Sequence, residues 1–277
     1  DFASNRLVFL SYSEAGRSGT STAMASGRLT SDGAALENVK ILFSQRPKLR
    51  GGRHFGSRVV FAPDGNVFLT TGDRGARHNA QKLSGHIGKV IRLTPEGGIP
   101  ADNPFIGKPG ALPEIWSYGH RNIQGAAIHP ESGRLWTIEH GPRGGDEINI
   151  PAAGVNHGWP VVTHGIEYSG GTIGDGLKTK PGMADPIHIW TPVIAPGGMT
   201  FYSGNLFPAW KGNLLIGGLR AGALVRLELE GDRVVREERL LRQIGDRIRD
   251  VAVGPDGAVY AITDSGDGKI LRITPAQ

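Results

Sequence analysis

The sequence predicts an all-β fold, a six-bladed β-propeller of four-stranded blades with the first blade largely missing. Three observations predict it. The 277 residues include 43 glycines and 18 prolines with no collagen-type period, which leaves little room for long helices and favours short strands joined by tight turns. A strand–turn–strand pattern recurs four times, at 57–71 (SRVVFAPDGNVFLTT), 124–138 (QGAAIHPESGRLWTI), 198–216 (GMTFYSGNLFPAWKGNLLI) and 248–262 (IRDVAVGPDGAVYAI). A further apolar strand follows several copies, at 89–97, 223–231 and 269–275. Units of this kind with variable spacing suggest propeller blades.

The elements follow in chain order. Residues 6–12 (RLVFLSY) read as a second strand whose expected partner and turn are absent, so the chain is expected to lack an N-terminal piece. The first and last full units carry Pro63-Asp64-Gly65 and Pro255-Asp256-Gly257, where glycine supplies the positive φ of the turn. Insertions between strands are expected to form the functional face. No linker or second composition appears, so residues 1–277 are expected to form a single, N-terminally incomplete domain.

Composition narrows the function. There is no cysteine, which excludes disulfides, thiolate catalysis and cysteine-held metals. No apolar run is long enough to span a membrane. Lys and Arg number 31 against 26 acidic residues, a net charge of +5, but the basic residues are dispersed. That argues against nucleic acid and is compatible with convergence on a small anion.

The stretch 139–160, EHGPRGGDEINIPAAGVNHGWP, is the most unusual. Its glycines and prolines force an irregular loop, and Asp146 and Glu147 add adjacent carboxylates. Backbone carbonyls with carboxylates suit calcium, although an acidic hairpin without metal fits the spacing equally. Arg121 and Asn122 sit at a loop mouth before an apolar strand, where Arg offers a planar fork for a carboxylate or phosphate, or makes an ordinary ion pair. Arg247 and Arg249 alternate at strand spacing and face one side. They call for a multivalent anion or for neutralisation by Asp246 and Asp250. Arg220 lies among glycines at a strand end. His54, flanked by glycines before a strand, suits a general base or a plain hydrogen-bonded role. Trp190 reads as a stacking platform or as core. Residues 72–75 (GDRG) resemble a phosphate loop only superficially, and no nucleotide or GxSxG motif is present.

The segments GGRHFG, GKVIRL, DNPFI, WSYGHRNIQG, EHGPRGGDEINIP, NHGWP, IAPGGM and RIRDVAVGPDG together resemble the soluble quinoprotein glucose/sorbosone dehydrogenase family, most closely its aldose sugar dehydrogenases. The resemblance implies a pyrroloquinoline quinone (PQQ) and calcium enzyme. It would oxidise the anomeric carbon of aldoses to lactones, with hydride passing to PQQ and electrons to an external acceptor. It assigns His54 as catalytic base and Arg121, Asn122, Arg220, Arg247 and Arg249 to PQQ. Gly141 and Pro142 fall to the calcium beside PQQ, Glu147 and His157 to a second calcium, and Trp190 to the sugar. It further implies a periplasmic or secreted protein, monomeric or weakly dimeric. Departures are Arg53 before the histidine, Arg220 where Lys is common, His157 where Tyr is common, and no counterpart of an upstream glutamine. A non-catalytic sugar- or protein-binding propeller and a calcium-dependent lactonase-type hydrolase remain as alternatives.

Overall fold

A computed structural model describes residues 2–276. Within them eighteen strands form five antiparallel sheets. The first holds β1 (Leu7–Gly16), β2 (Gly19–Leu29) and β3 (Leu36–Ser44); the second β4 (Gly56–Phe61), β5 (Val67–Thr71), β6 (Lys89–Leu93) and β7 (Ile115–Tyr118). The third holds β8 (Ile123–Ile128), β9 (Leu135–Glu139), β10 (Asp146–Asn149) and β11 (His188–Trp190); the fourth β12 (Pro196–Phe201), β13 (Leu214–Gly218), β14 (Ala223–Glu230) and β15 (Arg233–Leu240). The fifth holds β16 (Ile248–Val253), β17 (Val259–Thr263) and β18 (Ile270–Ile273). Each strand pairs with its sequence neighbour, the meander of a propeller blade.

The all-β propeller class holds, but the expectation of six four-stranded blades is overturned. There are five sheets, and the first and last have three strands. In the first, residues 7–16 do find a partner, since ten consecutive residue pairs join β1 to β2. Its β2 reads GTSTAMASGRL, and that run of small and hydroxyl side chains hides a strand from a search for apolar alternation. Helix is confined, among the described residues, to one α-turn at Phe2–Asn5 and three 3₁₀ pieces. None is long and apolar enough to cross a membrane.

The two PDG turns form as their chemistry dictates. Gly65 and Gly257 have φ of 84° and 77°, and their N–H groups donate to Ala62 O (3.0 Å) and Gly254 O (2.9 Å). Asp64 and Asp256 accept from the N–H two residues on, at 2.9 and 3.1 Å.

The chain divides into two compact units, Asp1–Ile123 with Ala152–Pro160, and Gln124–Pro151 with Val161–Gln277. The core of the first is built on Met24, Phe43, Val67, Leu69, Ile91 and Ile115. The main core of the second is built on Trp136, Ile138, Ile148, Met199, Leu214, Ile216 and Val225. Strands β5 and β6 in the first unit, and β9 and β13 in the second, are buried at every position. They are covered on both faces and therefore read as continuous runs rather than alternating ones.

Candidate active site

In the first unit the sequence reaches His54 through an irregular turn, and His54 itself has φ of 54°, a left-handed conformation that histidine tolerates better than branched residues. Its Nδ1 lies 2.6 Å from Asp73 Oδ1. Asp73 stands just past β5 and is buried. Its carboxylate also accepts from Gly75 N–H (2.7 Å) and from the indole Nε1–H of Trp159 (2.8 Å). Burial pushes this carboxyl up, but the His54 contact and the two N–H donors outweigh it and hold Asp73 below the usual carboxylate range. The side chain of His54 is 19% exposed, so its ring is held by Asp73 and still reachable. Gly72 makes the approach possible: a Cβ there would lie 2.0 Å from His54 O.

Arg121 and Asn122, both buried, belong to the same network. Arg121 O accepts from Asp73 N–H at 2.7 Å, and its guanidinium lies over the Trp159 ring, 5.4 Å from the centroid. Asn122 Oδ1 accepts from Gly56 N–H at 3.3 Å, two residues past His54. His157 stacks on His120 with centroids 4.7 Å apart, and both its ring nitrogens are buried without a hydrogen-bond partner. Burial, with the neighbouring His120, pushes its pKa well below the usual imidazole value, so the ring is neutral.

In the second unit a cavity of about 370 Å³ is lined by Gly141, Pro142, Asp146, Tyr168, Ala195, Arg220 and Arg247, among others. Asp146 stitches its wall. One carboxylate oxygen accepts from Gly141 N–H (2.8 Å) and the other from Ala195 N–H (2.7 Å). Gly141 is required, because a Cβ would meet Gly144 O at 2.2 Å. Arg247 and Arg249 do share a side, but their partner is neither Asp246 nor Asp250. Both reach Asp264, at 3.1 and 2.9 Å, while Asp246 pairs with Lys269. One carboxylate between two guanidiniums leaves a surplus positive charge beside Arg220. Trp190 is placed in the core, 4% exposed, with its indole N–H on Glu237 at 2.7 Å. Its carbonyl accepts from Gly145 N–H at 2.9 Å, so it braces the 141–146 loop rather than lining the cavity.

Glu147 follows Asp146 on β10, and strand alternation sends it to the opposite face. There it pairs in register with Glu139, as Asn149 pairs with Thr137. Asn149 Nδ2 donates to both glutamates, at 3.1 and 3.0 Å. Asn149 Oδ1 and Thr137 Oγ1 are buried without partners. Burial and the Glu139 charge push the Glu147 carboxyl up to about 8. Two carboxyl groups, together with that partnerless amide oxygen and hydroxyl, form a set that fits a hard divalent cation. Among the described residues no group of three or more His, Asp or Glu side chains is disposed to hold a metal, so amide, hydroxyl and backbone oxygens would have to contribute.

The glucose/sorbosone dehydrogenase family description matches residues 1–272. The chain belongs to that family. Aldose sugar dehydrogenase YliI of Escherichia coli (strain K12) is 46% identical over 277 residues, covering 99% of this chain and 75% of that protein. A crystal structure of glucose dehydrogenase superposes with a TM-score of 0.97 at 49% identity, covering 99% of this chain and 80% of that one. The PQQ-bound form of an aldose sugar dehydrogenase from Streptomyces coelicolor superposes at 0.79 with 27% identity, covering 98% of this chain and 76% of that one.

For this sugar dehydrogenase the residues singled out from sequence thus fall into three groups. His54, Arg121, Asn122 and His157 stand in the first unit. Gly141, Pro142, Arg220 and Arg247 share the second unit's cavity, with Arg249 joined through Asp264. Glu147 stands apart with Glu139. Sequence reasoning passed over Asp73, Trp159, Tyr168 and Glu139. Asp73 sat in the GDRG stretch dismissed as a failed phosphate loop. Tyr168, 72% exposed, had no motif around it. Glu139 was legible, since a buried strand of β-formers ending in a charge is unusual.

Proposed function

We propose that the chain is a PQQ- and calcium-dependent dehydrogenase that oxidises the anomeric carbon of aldoses to lactones and hands the electrons to an external acceptor, working in the periplasm or outside the cell. The observation that carries the proposal is the His54–Asp73 pair. An ionised Asp73 holds Nδ1 as the protonated nitrogen, which leaves Nε2 with the lone pair that takes a proton from the anomeric hydroxyl. Proton loss from that oxygen raises the electron density that expels hydride from the carbon, and a C=O double bond forms. Bound PQQ, polarised by calcium, would supply the two-electron hydride acceptor.

The remaining assignments follow from the chemistry of the side chains. Arg220 and Arg247, with Arg249 behind them, provide the positive surplus suited to a cofactor with three carboxylates. In the first unit, Arg121 and Asn122 present a guanidinium and an amide, groups suited to PQQ carboxylates and carbonyls. Gly141 and Pro142 would give backbone oxygens to its calcium, in a loop that Asp146 holds in shape. Glu147, with Glu139, would take a second calcium. His157, in the first unit, would serve calcium through its backbone carbonyl, its ring being buried and neutral. Asp146 is the only carboxylate among the cavity residues and is committed to two backbone N–H groups. A calcium-dependent hydrolase calls for several side-chain carboxylates, and this cavity offers one.

The test is reconstitution with PQQ and calcium, followed by dye reduction with a panel of aldoses. His54→Ala is expected to lower turnover by about two to four orders of magnitude, the usual contribution of a general base. Near-normal turnover in that variant, or no dye reduction by the reconstituted parent, would overturn the proposal.

A further inference from the structure

We infer that Trp159 is the positioning residue of the catalytic base and that it ties the base to Arg121. The inference rests on the dehydrogenase proposal for the word catalytic, while the coupling itself is a property of the protein alone. Asp73 has two carboxylate oxygens to orient. His54 and Gly75 N–H occupy Oδ1, and Trp159 Nε1–H occupies Oδ2 at 2.8 Å. Without the indole donor, the carboxylate keeps contacts on one oxygen only and is free to swing about its own axis. Its plane would then no longer be fixed relative to the imidazole.

The indole is itself fixed. It is 7% exposed. Its backbone N–H donates to Gly119 O at 2.9 Å, and its carbonyl accepts from Gln81 Nε2 at 2.7 Å. Gln81 and Asn156 exchange a pair of side-chain hydrogen bonds, at 3.0 and 2.8 Å. Gln81 ends the 3₁₀ turn Arg77–Gln81, whose Asn79 and Ala80 carbonyls accept from the buried Lys89 ammonium at 3.2 and 2.8 Å. The donor that aims Asp73 is therefore anchored on two sides. The ring face carries Arg121, with Arg77 at 5.9 Å from the centroid. An aromatic chosen for packing alone would not need its N–H on the base's own carboxylate and its face under Arg121 at once. The other charge beside the pair, Arg74, is engaged by Arg53 O, Gly51 O and Thr20 Oγ1.

The experiment follows the His54 imidazole by nitrogen-detected NMR titration in the cofactor-free full chain, parent against Trp159→Phe. Phenylalanine keeps a ring for Arg121 and removes the N–H. A carboxylate whose plane is free to swing spends less time on Nδ1–H and holds the imidazolium less firmly. The His54 midpoint is expected to fall by about half to one pH unit, with a smaller share of the Nδ1–H tautomer at high pH. An unchanged midpoint and tautomer ratio would overturn the inference. If Trp159→Phe does not fold, benzothienylalanine at position 159 keeps the bicyclic shape without the N–H and gives the same readout.

In the PQQ- and calcium-loaded enzyme the variant should lose about tenfold in kcat with little change in KM, and its acid limb should shift by the same half to one unit. In an Asp73→Asn background the change should add no further loss, and additive losses would count against the coupling. A loaded parent with no activity would sink the dehydrogenase proposal and leave the NMR result standing.

Discussion

At the residue scale, the contrast between His54 and Asp73 shows what a sequence can and cannot display. His54 was legible because glycines around a histidine before a strand are unusual locally. Asp73 lies nineteen positions away, and its partnership exists only after β4 and β5 pair. No local signal announces it. The same holds for Trp159, whose GWP context advertises a turn and not a hydrogen bond to position 73. Asp73→Asn keeps the volume and makes the amide compete for the wrong tautomer of His54. Turnover of the reconstituted enzyme is expected to fall by at least about two orders of magnitude with folding intact. Steady-state kinetics beside a thermal melt would check this, and turnover within a few-fold of the parent would remove Asp73 from the base. Trp190, by contrast, was legible as an aromatic and not as core or site, since its burial depends on β15 supplying Glu237.

At the element scale, turn chemistry made β4, β5, β16 and β17 readable, because Pro-Asp-Gly defines both the reversal and the strand ends. Strand β2 was not readable, since hydroxyl and small residues pack there without an apolar signature. On β10, alternation separates two acids that look like one motif. Asp146 is used up by backbone donors, and Glu147 faces Glu139. The Glu147 carboxyl titrates at about 8 in the folded chain against an ordinary 4.5. Between those values the folded chain keeps a proton that the unfolded chain has lost. Stability from this group is therefore complete below the ordinary carboxylate range and falls as pH rises through the window to about 8. In metal-free protein the urea midpoint should decline from pH 5 to pH 8. Glu147→Gln should flatten that decline, and millimolar calcium should oppose it at pH 8. An equal slope in the variant would dissociate the pair from the pH response.

At the scale of the whole molecule, the blade class and the family were both legible, but the number of blades was not. Counting strand–turn–strand units gives sheets, while inferring a sixth required an assumption about closure that no residue encodes. Net charge is a molecular property with a kinetic consequence. With +5 overall and two guanidiniums sharing Asp264, capture of a tri-anionic cofactor should weaken as salt is raised. Raising sodium chloride from about 20 to 500 mM, which shortens the screening length severalfold, should slow PQQ association measured by stopped-flow absorbance. Arg247→Gln should be less sensitive to salt. A salt-independent rate in the parent would show that this charge does not steer the cofactor.

The backbone at position 72, where His54 O occupies the volume that any Cβ would need, has a consequence for variation. Every single-nucleotide change of a glycine codon that alters the residue and does not stop translation introduces at least one carbon at that spot. In a saturation library sorted for activity, position 72 should therefore return the parental residue alone, a stricter outcome than at His54's other neighbours. Drift can relocate strands and lengthen loops in such an enzyme, but it has no one-step route through this point.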